Sequence, residues 1–438
     1  MANTQQKLME KMSFKNKGYP ISKPKRVFIN SRHASFSALL DYEKTGKKID
    51  RSLKEWKKSS IPKDVDYQLA QEISYGIVKR KLTIDYYAKQ IENITKLKLR
   101  EKIILRMALY QICFMDKIPF YAIVNESVDL AKKVISFKTG AFFNALLRKL
   151  EPENFKPVPS KELDIRYSYP KYFVELLTHQ FDVKQAGDIL NVMNIAPQIF
   201  VKKRNKVNNA KLKKEDADVI YEKEFTLYQL KNLKLIETLK NDPDYYFQSL
   251  TQAKLIDSLA LKVKNPVSII DLCASPGGKL LAASDLYPNA ALYANDVSPT
   301  RLEVLKENIS KYGLEVKLSC EPAEKLSQKK RFDLVIVDSP CTNSGVLNRR
   351  AEARWKITKD HLHGLCRLQK EILRNAVDLM EENGRIWYVT CSILSDENEK
   401  IIEEICQKHS LQVDGKLNKI LPDESGYDGG FSCVLKKL

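Results

Sequence analysis

From about Asn241 to the C-terminus, short apolar runs alternate with helix-patterned stretches, and this alternation restricts the fold more than any other feature. The runs are VSIID (267–271), ALYAND (291–296), FDLVIVD (332–338), RIWYVTC (385–391) and FSCVLKK (431–437). Strands separated by helical stretches form an α/β sheet of mostly parallel strands. In such a sheet, residues just past the carboxyl ends of the strands face the ligand crevice.

The preceding residues read differently. From about Phe28 to Leu150, apolar residues recur every three or four positions: Leu69, Ile73, Ile77; Ile104, Met107, Ala108, Ile112; Ile123, Val124, Val128, Ala131, Val134. That period places them on single helix faces and predicts an all-helical domain. LEPENFKPVPSKE (150–162) has three prolines and no period, and reads as a linker. A mixed α+β lobe with the strand-like run QIFVKK (198–203) and a basic middle follows. A chain of 438 residues suits two or three domains. The expected division is a basic tail over 1–25, a helical domain over 26–150, a linker over 151–163, an α+β lobe over 164–240 and an α/β domain over 241–438.

Charge narrows the partner. Lys and Arg number 74 against 55 Asp and Glu, a formal net charge of +19. Such an excess favours a polyanion through phosphate contacts and counterion release. Basic clusters stand at Lys79-Arg80-Lys81, Lys202-Lys203-Arg204, Lys211 to Lys214, Lys329-Lys330-Arg331 and Arg349-Arg350, and those of the middle lobe are expected to face RNA. The competing explanation is that lysine merely solubilises. No run of about 18 apolar residues and no secretory leader is present, so a cytoplasmic protein without membrane contact is expected. The eight cysteines are irregularly spaced without Cys-x-x-Cys, which argues for free thiols rather than a disulfide framework.

SIIDLCASPGGK (268–279) is a buried strand, a small-residue turn and a helix start. Glycine there lets a ligand approach the backbone at the end of the first strand. LYAND ends at Asp296, where a doubly wound fold usually sets a carboxylate against ribose hydroxyls. Two further strand ends carry unusual groups: Asp338, Pro340 and Cys341 in one, Thr390 and Cys391 in the other. A lone strand-end cysteine is usually a small buried hydrophobe. Two beside one glycine loop suit thiol chemistry on a pyrimidine. A thiolate adding to carbon 6 of cytosine makes carbon 5 nucleophilic, and a carboxyl group at N3 stabilises the developing charge.

The motifs DLCASPGGK, DSPCTNSGV, RWKITKDHLHGLCRLQKEIL, YVTCSILSDENE and YDGGFSCVLKK resemble, in order and spacing, those of the RNA 5-cytosine methyltransferases of the Nop/Sun (NSUN) type. SRHASFSALLDYEKTG, LAQEISYGIVKRKLTIDYY, AIVNESVDLAKK and FFNALLRKL are similar to the NusB-like RNA-binding domain of one branch, the bacterial RsmB (Sun) type. The resemblance implies a Rossmann-like S-adenosylmethionine-dependent methyltransferase domain, an all-α NusB-like N-terminal domain and a small α+β middle lobe. It implies Cys391 as nucleophile, Cys341 as an aid to product release and Asp338 in contact with cytosine and cofactor. Cys273, Ala274, Ser275, Pro276, Gly277, Gly278 and Lys279 would cradle the methionine part of S-adenosylmethionine, with Asp296 at the ribose and Glu321 near the adenine. The implied substrate is one cytosine of 16S ribosomal RNA.

The chain departs from the family pattern at Leu280 (usually Thr), Ser275 (Ala), Ser249 (Asp) and Glu321 (Asp), and RRAEARWK lacks a His-Pro pair. His361, His363 and Cys366 in HLHGLC do not share one helix face, so no metal site is expected. His33 reads as a surface or RNA-side residue. Ser395 reads as a helix N-cap, with Asp396 and Glu397 placed for the helix dipole. A monomer without DNA as partner is expected. The alternatives are the same chemistry on tRNA or another RNA, and a non-catalytic NusB-like RNA-binding factor.

Overall fold

The computed structural model describes residues 30–91, 96–150, 152–204, 212–222 and 225–438. The expected basic tail over 1–25, and Lys211, lie outside them. The chain divides into two compact units, 1–76 with 93–152 and 77–92 with 153–438.

The first unit is helical: α1 (Ser31–Thr45), α2 (Ile49–Ser60), the start of α3 (Asp64–Ala88), α4 (Leu99–Phe114), α5 (Phe120–Val134) and α6 (Phe137–Leu147). Its caps follow from local chemistry. Asn30 accepts from the His33 amide and Ser136 from the Thr139 amide, satisfying first-turn donors of α1 and α6. Of the periodic residues, Ile73, Ile104, Met107, Ala108, Ile123, Val124, Val128 and Ala131 are buried, while Leu69, Ile112 and Val134 are half-buried at the edge. His33 is half-buried rather than on the open surface, and burial together with Lys133 holds its imidazole below the ordinary value.

In the second unit, α7 (Leu163–Tyr167), α8 (Lys171–Gln180) and α9 (Val183–Val192) lead into β1 (Phe200–Lys203), β2 (Ala217–Glu222), β3 (Thr226–Leu230), α10 (Ile236–Asn241) and β4 (Tyr245–Phe247). These strands form a four-stranded sheet in the order β2-β3-β1-β4. Because β4 pairs with β1, the lobe's sheet reaches past the Lys240 boundary expected from composition. Helices α8 and α9 contribute Phe173, Leu177, Ile189 and Leu190 to a core shared with Leu347, Ile357, Leu362, Ile393 and Leu394.

The larger sheet follows: α11 (Leu250–Ala260), β5 (Ser268–Asp271), α12 (Gly278–Leu286), β6 (Ala291–Asn295), α13 (Pro299–Lys311), β7 (Val316–Ser319), β8 (Phe332–Asp338), α14 (Lys359–Leu379), β9 (Met380–Thr390), α15 (Glu399–His409), β10 (Leu411–Val413), β11 (Asn418–Ile420) and β12 (Gly430–Lys437). Its order is β10-β12-β9-β8-β5-β6-β7, with β11 on β12. Strands β5 to β9 pair in parallel and β12 runs antiparallel to β9. All five runs read as strands are strands. Edge strands β7, β10 and β11 carry no such run, because an edge buries little and so leaves little apolar signature.

Candidate active site

The glycine turn is anchored from three sides. Ala274 donates its amide to the Asn295 carbonyl at 2.9 Å, tying the turn to the end of β6. Arg301 of α13 donates to the Ser275 carbonyl at 2.8 Å and accepts the Ser275 hydroxyl on its own carbonyl at 2.7 Å. Asn308 donates to the Pro276 carbonyl at 2.7 Å. Gly277 has φ +109° at the N-cap of α12, a conformation costly for any side chain. Asp296 is 1% exposed, accepts from the Ser275 and Ser298 amides and forms an ion pair with Arg301. A carboxylate offers about four acceptor positions, so room for one further donor remains.

Asp338, at the end of β8, pairs with Lys279 of α12 at 2.6 Å. Burial opposes the Lys279 charge, yet Asp338, with Cys391 and Asp271 adding to it, holds the ammonium above its ordinary value. Asp271, at the end of β5, is 1% exposed, and its Oδ2 is buried without a hydrogen-bond partner. Burial, with Asp338 adding, pushes this carboxyl up to about 7.

The two strand-end thiols meet. Cys341 Sγ lies 3.1 Å from Cys391 Sγ, and Cys391 donates to Asn343 Oδ1 at 3.2 Å. The hydrogen bond to Cys391 and burial both raise the Cys341 thiol well above its ordinary value. Cys391 is the less buried of the two and shares a recess with Lys279, Ser249, Gln252 and Gly430. Its loop is strapped down by the Gly345 amide, which donates to the Cys391 carbonyl at 2.9 Å, and the Gly429 amide donates to the Gly345 carbonyl at 2.7 Å. The two glycine backbones touch, and a Cβ on Gly345 would sit 2.5 Å from the Gly429 oxygen.

Residues 258–431 match the family described as 16S rRNA methyltransferase RsmB/F, and residues 29–152 match the NusB family. Residues 258–431 thus form an RsmB/F-type methyltransferase domain, and residues 29–152 a NusB-family domain. The probable ribosomal RNA small subunit methyltransferase B of Bacillus subtilis strain 168 is 26% identical, over 93% of this chain and 98% of its own. Ribosomal RNA small subunit methyltransferase B of Vibrio cholerae is 25% identical over 93% and 98%. The crystal structure of PH0851 shares the fold with TM-score 0.76 at 24% identity, covering 92% of this chain and 98% of that one. NSun6 from Pyrococcus horikoshii, solved with SFG, covers 61% of this chain with TM-score 0.53 at 19% identity.

The RsmB/F-type enzyme uses S-adenosylmethionine as methyl donor. The strand ends fit that cation: they set Asp271, Asp296 and Asp338 around the glycine turn, one with an unpartnered oxygen. Gly278 faces open space, since a Cβ there would meet nothing within 4 Å.

Other residues fall as follows. Glu321 is exposed, and the Asn295 amide brackets its backbone, accepting its N–H and donating to its carbonyl. Ser249, the departure from Asp, caps α11 by accepting from the Gln252 amide. His361 and His363 are exposed on α14, and Cys366 donates to the Asp396 carbonyl. Ser395 does not cap a helix: Leu394 and Asn398 hold the cap positions, and Ser395 instead gives its amide to Gln180 Oε1. Lys202 and Arg204 do not face RNA as expected, since they are 2% and 6% exposed. Lys202 Nζ stands 3.9 Å over the Phe225 ring, with burial lowering its value to about 8, and Arg204 pairs with Asp285. Lys213, Lys214, Lys329, Lys330, Arg331, Arg349 and Arg350 are exposed. Asp271, Asn343 and Glu397 lie beside these groups: Asp271 had a signal in sequence as the acid closing the first strand, Glu397 reads there only as an acid for a helix dipole, and Asn343 had none.

Proposed function

We propose that this enzyme methylates carbon 5 of a cytosine in 16S ribosomal RNA, at the cytosine 967 type of position, through a covalent Cys391–C6 intermediate. The contact of 3.1 Å between two thiols at adjacent strand ends, beside the Asp338–Lys279 pair, carries this reading. S-adenosylmethionine supplies the methyl group. Cys391, as thiolate, forms a bond to C6 and the ring electrons shift to C5. The Asp338 carboxyl group holds N3, and the Lys279 ammonium fixes that carboxyl. After C5 is methylated, a base takes the C5 proton, the C5–C6 double bond returns and the S–C6 bond breaks. Cys341, whose sulfur lies 3.1 Å from that of Cys391, attends that departure.

The names of the relatives and the exposed basic residues support ribosomal RNA as the substrate. Cys391→Ala should abolish transfer of label from S-adenosylmethionine to 16S ribosomal RNA, and retained turnover refutes the assignment. Cys341→Ala should accumulate a protein–RNA adduct that survives denaturing gels; a variant that turns over without adduct refutes the release role. Mapping 5-methylcytosine in total RNA with and without the gene distinguishes ribosomal RNA from tRNA.

A further inference from the structure

Glu397 is 0% exposed, and no Lys or Arg among the described residues pairs with it. Its carboxylate is nevertheless saturated by neutral donors. Oε1 accepts from the Thr342 amide at 2.8 Å and Gln369 Nε2 at 3.1 Å. Oε2 accepts from the Thr342 hydroxyl at 2.5 Å and the Ser392 hydroxyl at 2.6 Å. Thr342 follows Cys341 in the chain, and Ser392 follows Cys391. The same Gln369 amide donates to the carbonyl of Pro340, which precedes Cys341, at 2.8 Å. On the other side, Thr390, which precedes Cys391, donates to Asn398 Oδ1 at 2.6 Å, and Asn398 returns a bond to the Ser392 carbonyl at 3.0 Å. Both thiols are therefore bracketed by residues that converge on one carboxylate and its neighbour in the chain. A buried acid without a cation is an expensive way to hold two loops together, because its charge is taken out of water with only neutral donors to compensate.

We infer that Glu397 is a positioning residue which fixes the Cys341 and Cys391 loops to one another, and so sets the distance between the two sulfurs. The use made of that distance rests on the two-thiol reading above. The acid touches no reacting atom. It acts through Thr342 and Ser392, so its loss should disturb the attack by Cys391 and the release step together, and leave the cofactor pocket at β5 and β6 alone.

The test is Glu397→Gln in the full chain, which preserves volume but sets an amide N–H₂ against donors. Dibromobimane, which links two adjacent thiols, is followed by peptide mass for the Cys341–Cys391 product. The link should form about tenfold more slowly, the order expected for a lost charged hydrogen bond in a buried site. The kcat for RNA methylation should fall in parallel, with the KM for RNA and the affinity for S-adenosylmethionine within about twofold of wild type. Should Glu397→Gln fail to fold, Thr342→Val removes one bond and keeps the shape, with a slowing of about threefold expected. A folded variant that cross-links at the wild-type rate overturns the inference. Cys391→Ala with full turnover overturns the two-thiol reading instead, and leaves the cross-linking result standing.

Discussion

Asp271 shows how a single residue can read as part of a strand and yet carry the electrostatics of a site. Its position at the end of β5 was legible, but its raised carboxyl comes from burial, with Asp338, distant in sequence, adding and Lys279 opposing. The folded-state value of about 7 lies above the ordinary 3.8, so the native protein holds a proton that the unfolded chain releases between those values. Stability from this group is full below pH about 4 and falls as pH rises toward 7, with no further change above. Asp271→Asn mimics the protonated form and keeps the oxygen that accepts from the Cys273 amide. Measured without cofactor, its melting temperature should match wild type near pH 4 and exceed it at pH 8. An equal difference at both pH values would show that the carboxyl is not held protonated. Lys202 teaches the opposite lesson: in sequence it sits in a basic cluster, and only the packing of Phe225 and Tyr246 around it removes it from the surface.

At the scale of elements, strands β5 and β8, most of β12 and the second half of β9 were readable because they are buried on both faces and so are nearly all apolar, whereas β6 starts at an exposed Ala291 and is buried mainly towards its end. The loops at their ends were readable only as places where cysteine and aspartate occur. What sets them is backbone contact: Gly345 against Gly429, and the amide of Gly345 on the carbonyl of Cys391. Gly345→Ala forces a methyl group into the Gly429 backbone. It should lower stability by about 1–3 kcal/mol, as overpacking does, and slow cross-linking of the Cys341–Cys391 pair. Thermal unfolding checks the first effect. A melting temperature equal to wild type would mean the strap is not tight. Ser before acidic residues usually caps a helix, yet Ser395 does not, and Glu397 turns inward to the thiol loops.

For the molecule as a whole, the charge of +19 is the property that composition states without ambiguity. A protein that neutralises about six phosphates should lose roughly 10³ in RNA affinity between 50 and 200 mM salt. Fluorescence anisotropy with a 16S ribosomal RNA fragment measures this, and a response of less than tenfold would argue that phosphate contacts are few. By itself the sequence determined the helical and α/β halves, the glycine turn and the residue types at strand ends, because periodic burial and turn chemistry act over short stretches of chain. Only the tertiary structure decided which side chains meet: Cys341 with Cys391, Lys279 with Asp338, and both thiol loops with Glu397. The physical reason is that crossover connections bring distant strand ends side by side, and hydrogen bonds of about 3 Å depend on a register that no local pattern encodes.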